Sequence, residues 1–284
     1  MGKFARTWAL LGASWRVLMQ DKRLVVFPLI SGFALLLLII LFFGPIVIDR
    51  IGQPPVPGAV AFPPRLWLAM FVFYFLDSCV IVFFNSALIA CVFRQIEGGE
   101  PSLAYGLGFA WRRLPQILGW ALLTATVGML LRMLEQKVGF VGRLVVGMLG
   151  MAWAVTAFLV VPVLVAEGTG PIESYKRSVE MLKRTWGEQI IGNVSFSLIF
   201  GLCMFVPLFI VYALAQQHAT ATAWLAFGLL PVVWIALVVL VQSTLQTIYQ
   251  AAIYLYAANG EAPAGFDGQV LAAAFRPKQP RGWL

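Results

Sequence analysis

Residues 165–171 read VAEGTGP, a glutamate, two glycines and a proline set into a chain that is otherwise mostly Leu, Val, Phe and Ala. The same kind of stop occurs earlier as IEGGEP (96–101) and later as ANGEAP (258–263). Glycine suits the left-handed residue that closes a helix, and proline soon after suits the first turn of a new one. Each motif therefore reads as the end of one helix and the start of another. The runs before these stops are long and apolar, so the helices they end are expected to cross a lipid bilayer.

The composition agrees. Of 284 residues, 61% are hydrophobic and 11% charged, against roughly 45–50% and about 25% in soluble domains. Such a chain lacks the polar surface to cover itself in water. A helix needs roughly 20 apolar residues to cross about 30 Å of hydrocarbon. Six stretches qualify: Leu24–Ile48, Leu66–Phe93, Leu114–Leu134, Val141–Val165, Ile190–Ala215 and Trp224–Ala257. The last is long enough to tilt or project, and Pro231 is expected to break it near its start. The expected fold is all-α: one polytopic membrane domain over residues 1–284.

Lysine and arginine give the orientation. With the termini and even-numbered loops on one side, that side holds fifteen of the twenty basic residues. Both termini are thus expected in the cytoplasm, across a bacterial inner membrane. The first apolar run begins near Leu24 with no small-residue cleavage site after it, and reads as a retained anchor. Position 6 is Arg6, which excludes a myristoylation signal.

Between spans lie shorter patterned segments. In 171–188, Ile172, Tyr175, Val179, Leu182 and Trp186 recur at spacings of 3 and 4, which predicts one apolar helix face. Glu173–Arg177, Lys176–Glu180 and Glu180–Arg184 lie on the other. The N-terminus repeats this with Phe4, Trp8, Leu11, Trp15 and Leu18. Leu103, Leu107, Trp111 and Leu114 give a weaker version ending in Arg112–Arg113. These are expected to lie in the headgroup plane, aromatic residues inward and Lys/Arg outward. The organisation is an in-plane helix plus two spanning helices, three times over: pseudo-repeats of about 1–97, 98–167 and 168–259, then a short cytoplasmic tail, 260–284.

The stretch FLVVPVLVAEGTGPIESYKRSVEMLKRTWG (158–187), through Pro162, Glu167, Gly168, Pro171, Ser178, Lys183 and Trp186–Gly187, resembles an uncharacterised bacterial family of six-span membrane proteins. FARTWALLGASWRVLMQDKRLVVFPLISG (4–32) matches through Ser14, Leu18, Lys22 and Phe27–Pro28. More distantly, the chain is similar to the membrane domain of bacterial glycerophosphodiester phosphodiesterases. The resemblance implies a helical membrane domain and no known activity. No soluble phosphodiesterase domain accompanies it, so that chemistry is not carried over.

Asp77, in FYFLDSCVIV, falls about 11 residues past Leu66, near the bilayer centre at roughly 1.5 Å per residue. An ionisable group there must face protein or water. It reads either as a proton or cation site or as a protonated carboxyl that fixes packing, with Arg132 the nearest partner by depth. Gln242, Gln246 and Gln250 recur at i, i+4 beside Ser243 and Thr247, with Asn85 and Ser86 at comparable depth in the second span. This stripe reads as a cavity wall or as interhelical hydrogen bonding. Glu97 and Glu167 read as helix-end partners or as cation ligands at the cytoplasmic mouth. Arg112, Arg113, Lys176, Arg177, Lys183 and Arg184 are candidate contacts for anionic lipid headgroups.

Enzyme chemistry finds little support. His218 is the single histidine, so no metal cluster or Ser–His pair is expected, and no cofactor. Cys79, Cys91 and Cys203 lie in apolar runs and read as small hydrophobes. No basic patch with interleaved aromatics points to nucleic acid, despite a net charge of +8. The leading reading is a non-enzymatic membrane scaffold that engages anionic lipid, other proteins or a second copy of the chain. The alternative is a small-solute or ion transporter or channel using Asp77 and the polar stripe.

Overall fold

The computed structural model describes residues 3–50, 64–184, 200–205, 208–209, 221–263 and 266. Among them every regular element is a helix. They are α1 (Lys3–Gln20), a 3-10 turn (Lys22–Val25), α2 (Val26–Arg50), α3 (Pro64–Ile96), α4 (Leu103–Arg112), α5 (Leu114–Lys137), α6 (Phe140–Thr156), α7 (Val160–Glu167), α8 (Pro171–Arg184) and α9 (Ala221–Asn259).

Five stretches are long and apolar enough to cross a membrane: Lys22–Pro45, Trp67–Ile96, Leu114–Lys137, Phe140–Glu167 and Leu230–Asn259. They coincide with five expected spans. The other, Ile190–Ala215, lies largely outside the described residues; within it, residues 200–205 are helical. The surface of these helices is apolar: Phe33, Leu37 and Leu41 on α2, Leu144 and Met148 on α6, and Val233 and Leu237 on α9 are exposed. A surface of that kind suits lipid and is unfavourable in water.

Burial concentrates at one end of three helices. Ser86–Val92 of α3, Leu159–Val165 around α7 and Thr244–Tyr254 of α9 hold most of the fully buried side chains. Each stretch runs directly into one of the three stops, whereas α6 buries nothing. At each stop one glycine turns left-handed, Gly98 at φ 83°, Gly168 at 68° and Gly260 at 75°, and no other described residue does so. The Gly168 and Gly260 amides close onto the Leu164 and Tyr256 carbonyls at 3.1 and 2.9 Å, and Gly99 reaches back to Arg94 at 2.9 Å. These bonds satisfy carbonyls that a helix end would otherwise orphan.

Two prolines divide what the apolar pattern runs together. Pro115, in the first turn of α5, cannot sit inside a continuous helix without its ring striking the Trp111 carbonyl, so the chain turns at Arg113. Pro162 does the same to the expected fourth span, Val141–Val165. It opposes the Phe158 carbonyl, and the span is interrupted at 157–159 between α6 and α7. By contrast α9 runs through Pro231 for 39 residues, against the expected break there. A membrane helix can carry a proline for one lost hydrogen bond where its neighbours compensate.

The contacts divide the chain into two compact units. One comprises α1, the 3-10 turn, the last residues of α3, and α9. In it α1 lies along α9, and Gln95 Nε2 donates to the Val17 carbonyl at 3.0 Å and to Gln20 Oε1 at 3.1 Å. The other comprises α2, the body of α3, α4 to α7 and most of α8. There α4 folds back beside α3: the Cys91 thiol donates to the Ser102 carbonyl at 3.4 Å, and Gly106 abuts Phe27, Ala87 and Cys91.

The short helices pack only in part on the faces their apolar spacing predicts: Leu11, Leu18 and Leu182 are buried as spaced, the large residues Trp8, Trp15, Trp111 and Ile172 are not. On α1 the buried residues are Leu10, Leu11, Ala13, Ser14, Val17 and Leu18, and Trp8 and Trp15 point out. On α4 they are Gly106 and Ala110, with Trp111 exposed. On α8 they are Ser174, Ser178, Met181 and Leu182, with Ile172 exposed. Trp8, Trp15 and Trp111 thus lie on the sides of these helices that the rest of the chain leaves uncovered. Helices that meet in or beside lipid gain little by hiding a large apolar residue that lipid accepts equally well. They gain from small residues that let backbones approach.

Candidate functional site

The best-defined polar constellation is the α7–α8 corner. After Gly168 the chain reverses and α8 runs back along α7, so later residues of α8 meet earlier ones of the preceding span. Thr169 and Ser174 hydroxyls are 2.8 Å apart. Glu173 accepts from the Gly170 amide at 3.3 Å, one turn ahead, as an acidic residue in a first turn should. Farther along, the Ser178 hydroxyl donates to the Thr156 carbonyl at 2.7 Å and accepts from the Leu159 amide at 3.3 Å. It fills the interruption between α6 and α7 with the hydrogen bonds the helix lost there.

Tyr175 completes the corner. Its hydroxyl lies 3.0 Å from Thr156 Oγ1, and its ring stacks on Trp153 at 5.1 Å and Trp120 at 6.2 Å, with Trp120 and Trp153 stacked at 5.7 Å. The sequence reading singled out neither Trp120 nor Trp153. Their only signal is the shared presence of large aromatics in two successive spans. Ser178 could have been sought from Pro162, because a broken span needs a polar partner for the freed backbone groups.

The candidate headgroup contacts fall at this corner and at the neighbouring one. Arg177 is engaged: its guanidinium lies 3.3 Å from Glu167 and 3.6 Å from Glu180. Lys176 and Lys183 are exposed on the outer face of α8, and no described acidic group pairs with them. The Arg184 side chain lies outside the description. Arg112 and Arg113 both place their guanidinium carbons 5.7 Å from the Phe109 ring centre. Arg113 also lies directly over Gly168, where a side chain at that position would sit. Glu167 is thus a helix-end ion-pair partner.

The intramembrane candidates divide between the units. Asp77 and Asn85 are on α3 in one; Gln242, Gln246 and Gln250 are on α9 in the other. All five are half-buried. Arg132 does not reach Asp77; it lies over the Tyr74 ring, one turn away on the same helix, at 5.3 Å. No hydrogen bond or ion pair among the described residues engages Asp77. Thr244 and Thr247, beside the glutamine stripe, donate to the Leu240 and Ser243 carbonyls of their own helix at 2.7 and 2.9 Å.

The family described as a family of unknown function (DUF6159) matches residues 65–266. The chain belongs to that family. No curated protein and no solved structure is similar to it. The DUF6159 match takes in α3 to α9 and every candidate site residue, while α1 and α2 precede it. Among the described residues of this DUF6159 protein, no group of three or more His, Cys, Asp or Glu is placed to hold a metal.

Proposed function

We propose that this is a non-enzymatic protein of the bacterial inner membrane, with six spans and both termini cytoplasmic, that engages anionic lipid headgroups or neighbouring proteins as a membrane scaffold. One observation carries the reading. The inner face of α8 is held by Ser174, Tyr175 and Ser178, so Lys176 and Lys183 are presented on a fixed support. A held cation loses less freedom on binding than one on a mobile tail. Arg177, already paired with Glu167 and Glu180, contributes less.

The sixth span rests on the apolar run Ile190–Ala215 and the helical residues 200–205. Three parallel repeats are supported by the left-handed glycine at each stop. The similarity to the membrane domain of glycerophosphodiester phosphodiesterases belongs to the same proposal and brings no chemistry with it. Cofactors play no part in the proposed role.

The test is lipid retention by the full chain. Lys176→Gln with Lys183→Gln should reduce retention of phosphatidylglycerol over phosphatidylcholine by about fivefold per lysine, since each is worth about 1 kcal/mol at an anionic surface. Retention unchanged by both substitutions would overturn the lipid role.

A second reading, a small-solute or ion transporter or channel, is favoured by Asp77 alone: a carboxyl midway along α3 without a described partner. Ion or solute flux into proteoliposomes that Asp77→Asn abolishes would establish it. Flux with the unaltered chain no greater than in empty vesicles, or flux unchanged by Asp77→Asn, would remove it.

A further inference from the structure

We propose that α1 and α4 are interfacial helices whose outer faces, Trp8 and Trp15 with Arg16, and Trp111 with Arg112, lie in the headgroup–acyl boundary of the bilayer, while α8 stays on the aqueous side of the headgroups, where Lys176 and Lys183 reach them without entering that boundary. The three tryptophans are exposed, at 60%, 44% and 68%. None is used to pack its own helix. In each helix the packed face is taken by small or aliphatic residues, Ala13 and Ser14 in α1 and Gly106 and Ala110 in α4.

The composition of the outer faces separates the helices. That of α1 carries Trp8, Gly12, Trp15, Arg16 and Met19, and that of α4 carries Ala104, Gly108, Trp111 and Arg112. Each described face has one charge, next to a tryptophan. An indole has a broad apolar body and a single N–H donor, and arginine sends its charge to the surface over an apolar stem. Both suit a boundary that is oily on one side and wet on the other. The exposed residues of α8 are Ile172 near its start and then Glu173, Lys176, Glu180 and Lys183, a density of charge that the boundary would strip of water at high cost.

The chain itself holds α1 and α4 at that depth. Asp21 alone separates α1 from the spanning stretch that begins at Lys22, and Arg113 alone separates α4 from spanning α5. Lys22 and Arg23, exposed beside α1, add positive charge where anionic headgroups would be. Lipid is therefore the occupant that reach and charge favour over a second copy or a soluble partner. The assignment is independent of what α8 binds.

The full chain in phosphatidylglycerol–phosphatidylcholine bilayers provides the test. Emission lost on substituting Trp8→Phe, Trp15→Phe and Trp111→Phe together reports those three indoles. We expect it to be quenched about threefold more by lipid brominated near the carbonyls than by lipid brominated at the chain ends, and little by aqueous iodide. Quenching mainly by iodide would place the faces in water; quenching by neither would place them against protein. Either result overturns the proposal. Trp111→Phe alone repeats the measurement should the triple variant fold poorly. Ile172→Trp, added to the Phe background, should be quenched by iodide, and preferential quenching by brominated lipid would overturn the assignment of α8.

Discussion

The Ser178 hydroxyl donates to the Thr156 carbonyl at 2.7 Å from a helix that begins fifteen residues farther along the chain than Thr156. It also accepts from the Leu159 amide at 3.3 Å, so one buried hydroxyl serves both sides of the interruption. Ser178→Ala would leave a buried carbonyl and a buried amide unpaired. We expect a loss of about 1–2 kcal/mol in reversible unfolding from mixed micelles. Ser86 is the control, equally buried but with no partner for its hydroxyl among the described residues. Ser86→Ala should be neutral or slightly stabilising, and similar losses in both variants would contradict the role given to Ser178.

The three left-handed glycines should not tolerate alanine equally. Gly98 and Gly260 have open space where a Cβ would stand, so the cost is conformational, about 1–2 kcal/mol each. At Gly168 the new methyl would also meet the Arg113 guanidinium, adding about 1–3 kcal/mol of overpacking. Removing the obstacle should relieve that excess: Gly168→Ala measured in an Arg113→Ala background should cost no more than Gly98→Ala. An undiminished penalty would show that Arg113 does not determine it.

Close approach on α4 can be tested two residues apart. A methyl on Gly106 would lie 2.7 Å from the Phe27 ring and 2.8 Å from the Ala87 carbonyl and the Cys91 sulfur. On Gly108 it would meet nothing within 4 Å. Gly106→Ala should destabilise by about 2–3 kcal/mol, whereas Gly108→Ala should gain up to about 1 kcal/mol of helix propensity. Thermal unfolding in detergent distinguishes them, and the reverse order would mean α4 packs on its other face.

The same contrast explains which features were legible in the chain. The spans were readable because a run of Leu, Ile and Phe that long has few other places to go. The stops were readable because few residues besides glycine turn left-handed cheaply. The packed faces of α1, α4 and α8 were legible only in part: Leu11, Leu18 and Leu182 are buried as their spacing suggests, whereas Trp8, Trp15, Trp111 and Ile172 are exposed. Spacing of Leu and Trp locates a core when the alternative is water, and next to lipid it locates only a side that lipid accepts. Serine and glycine carried the contact information, as Ser14, Gly106 and Ser178 show. Prolines were ambiguous for a related reason: Pro231 sits inside unbroken α9 and Pro162 sits in the first turn of α7, just after a break, and no local residue distinguishes them. Among the candidate site residues, the charges of α8 were visible, but the pairing of Arg177 with Glu167 depends on the reversal at Gly168. Nothing in the apolar runs indicated that Arg132 would rest on Tyr74 and leave Asp77 aside.

If Pro162 imposes the interruption at 157–159, the value of Ser178 depends on it. An alanine at 162 restores an amide that can bond to the Phe158 carbonyl and removes the ring that excludes it. The helix can then close across Ala157–Leu159, and Leu159 gains an intrahelical carbonyl in place of the Ser178 hydroxyl. In a Pro162→Ala background, Ser178→Ala should therefore lose most of its cost, a coupling of about 1 kcal/mol in a double-mutant cycle. Hydrogen exchange gives a second reading, since the amides of residues 158–160 should become better protected in Pro162→Ala alone. Additive costs together with unchanged exchange would mean that the break is held by α8, with the proline merely accommodated at it.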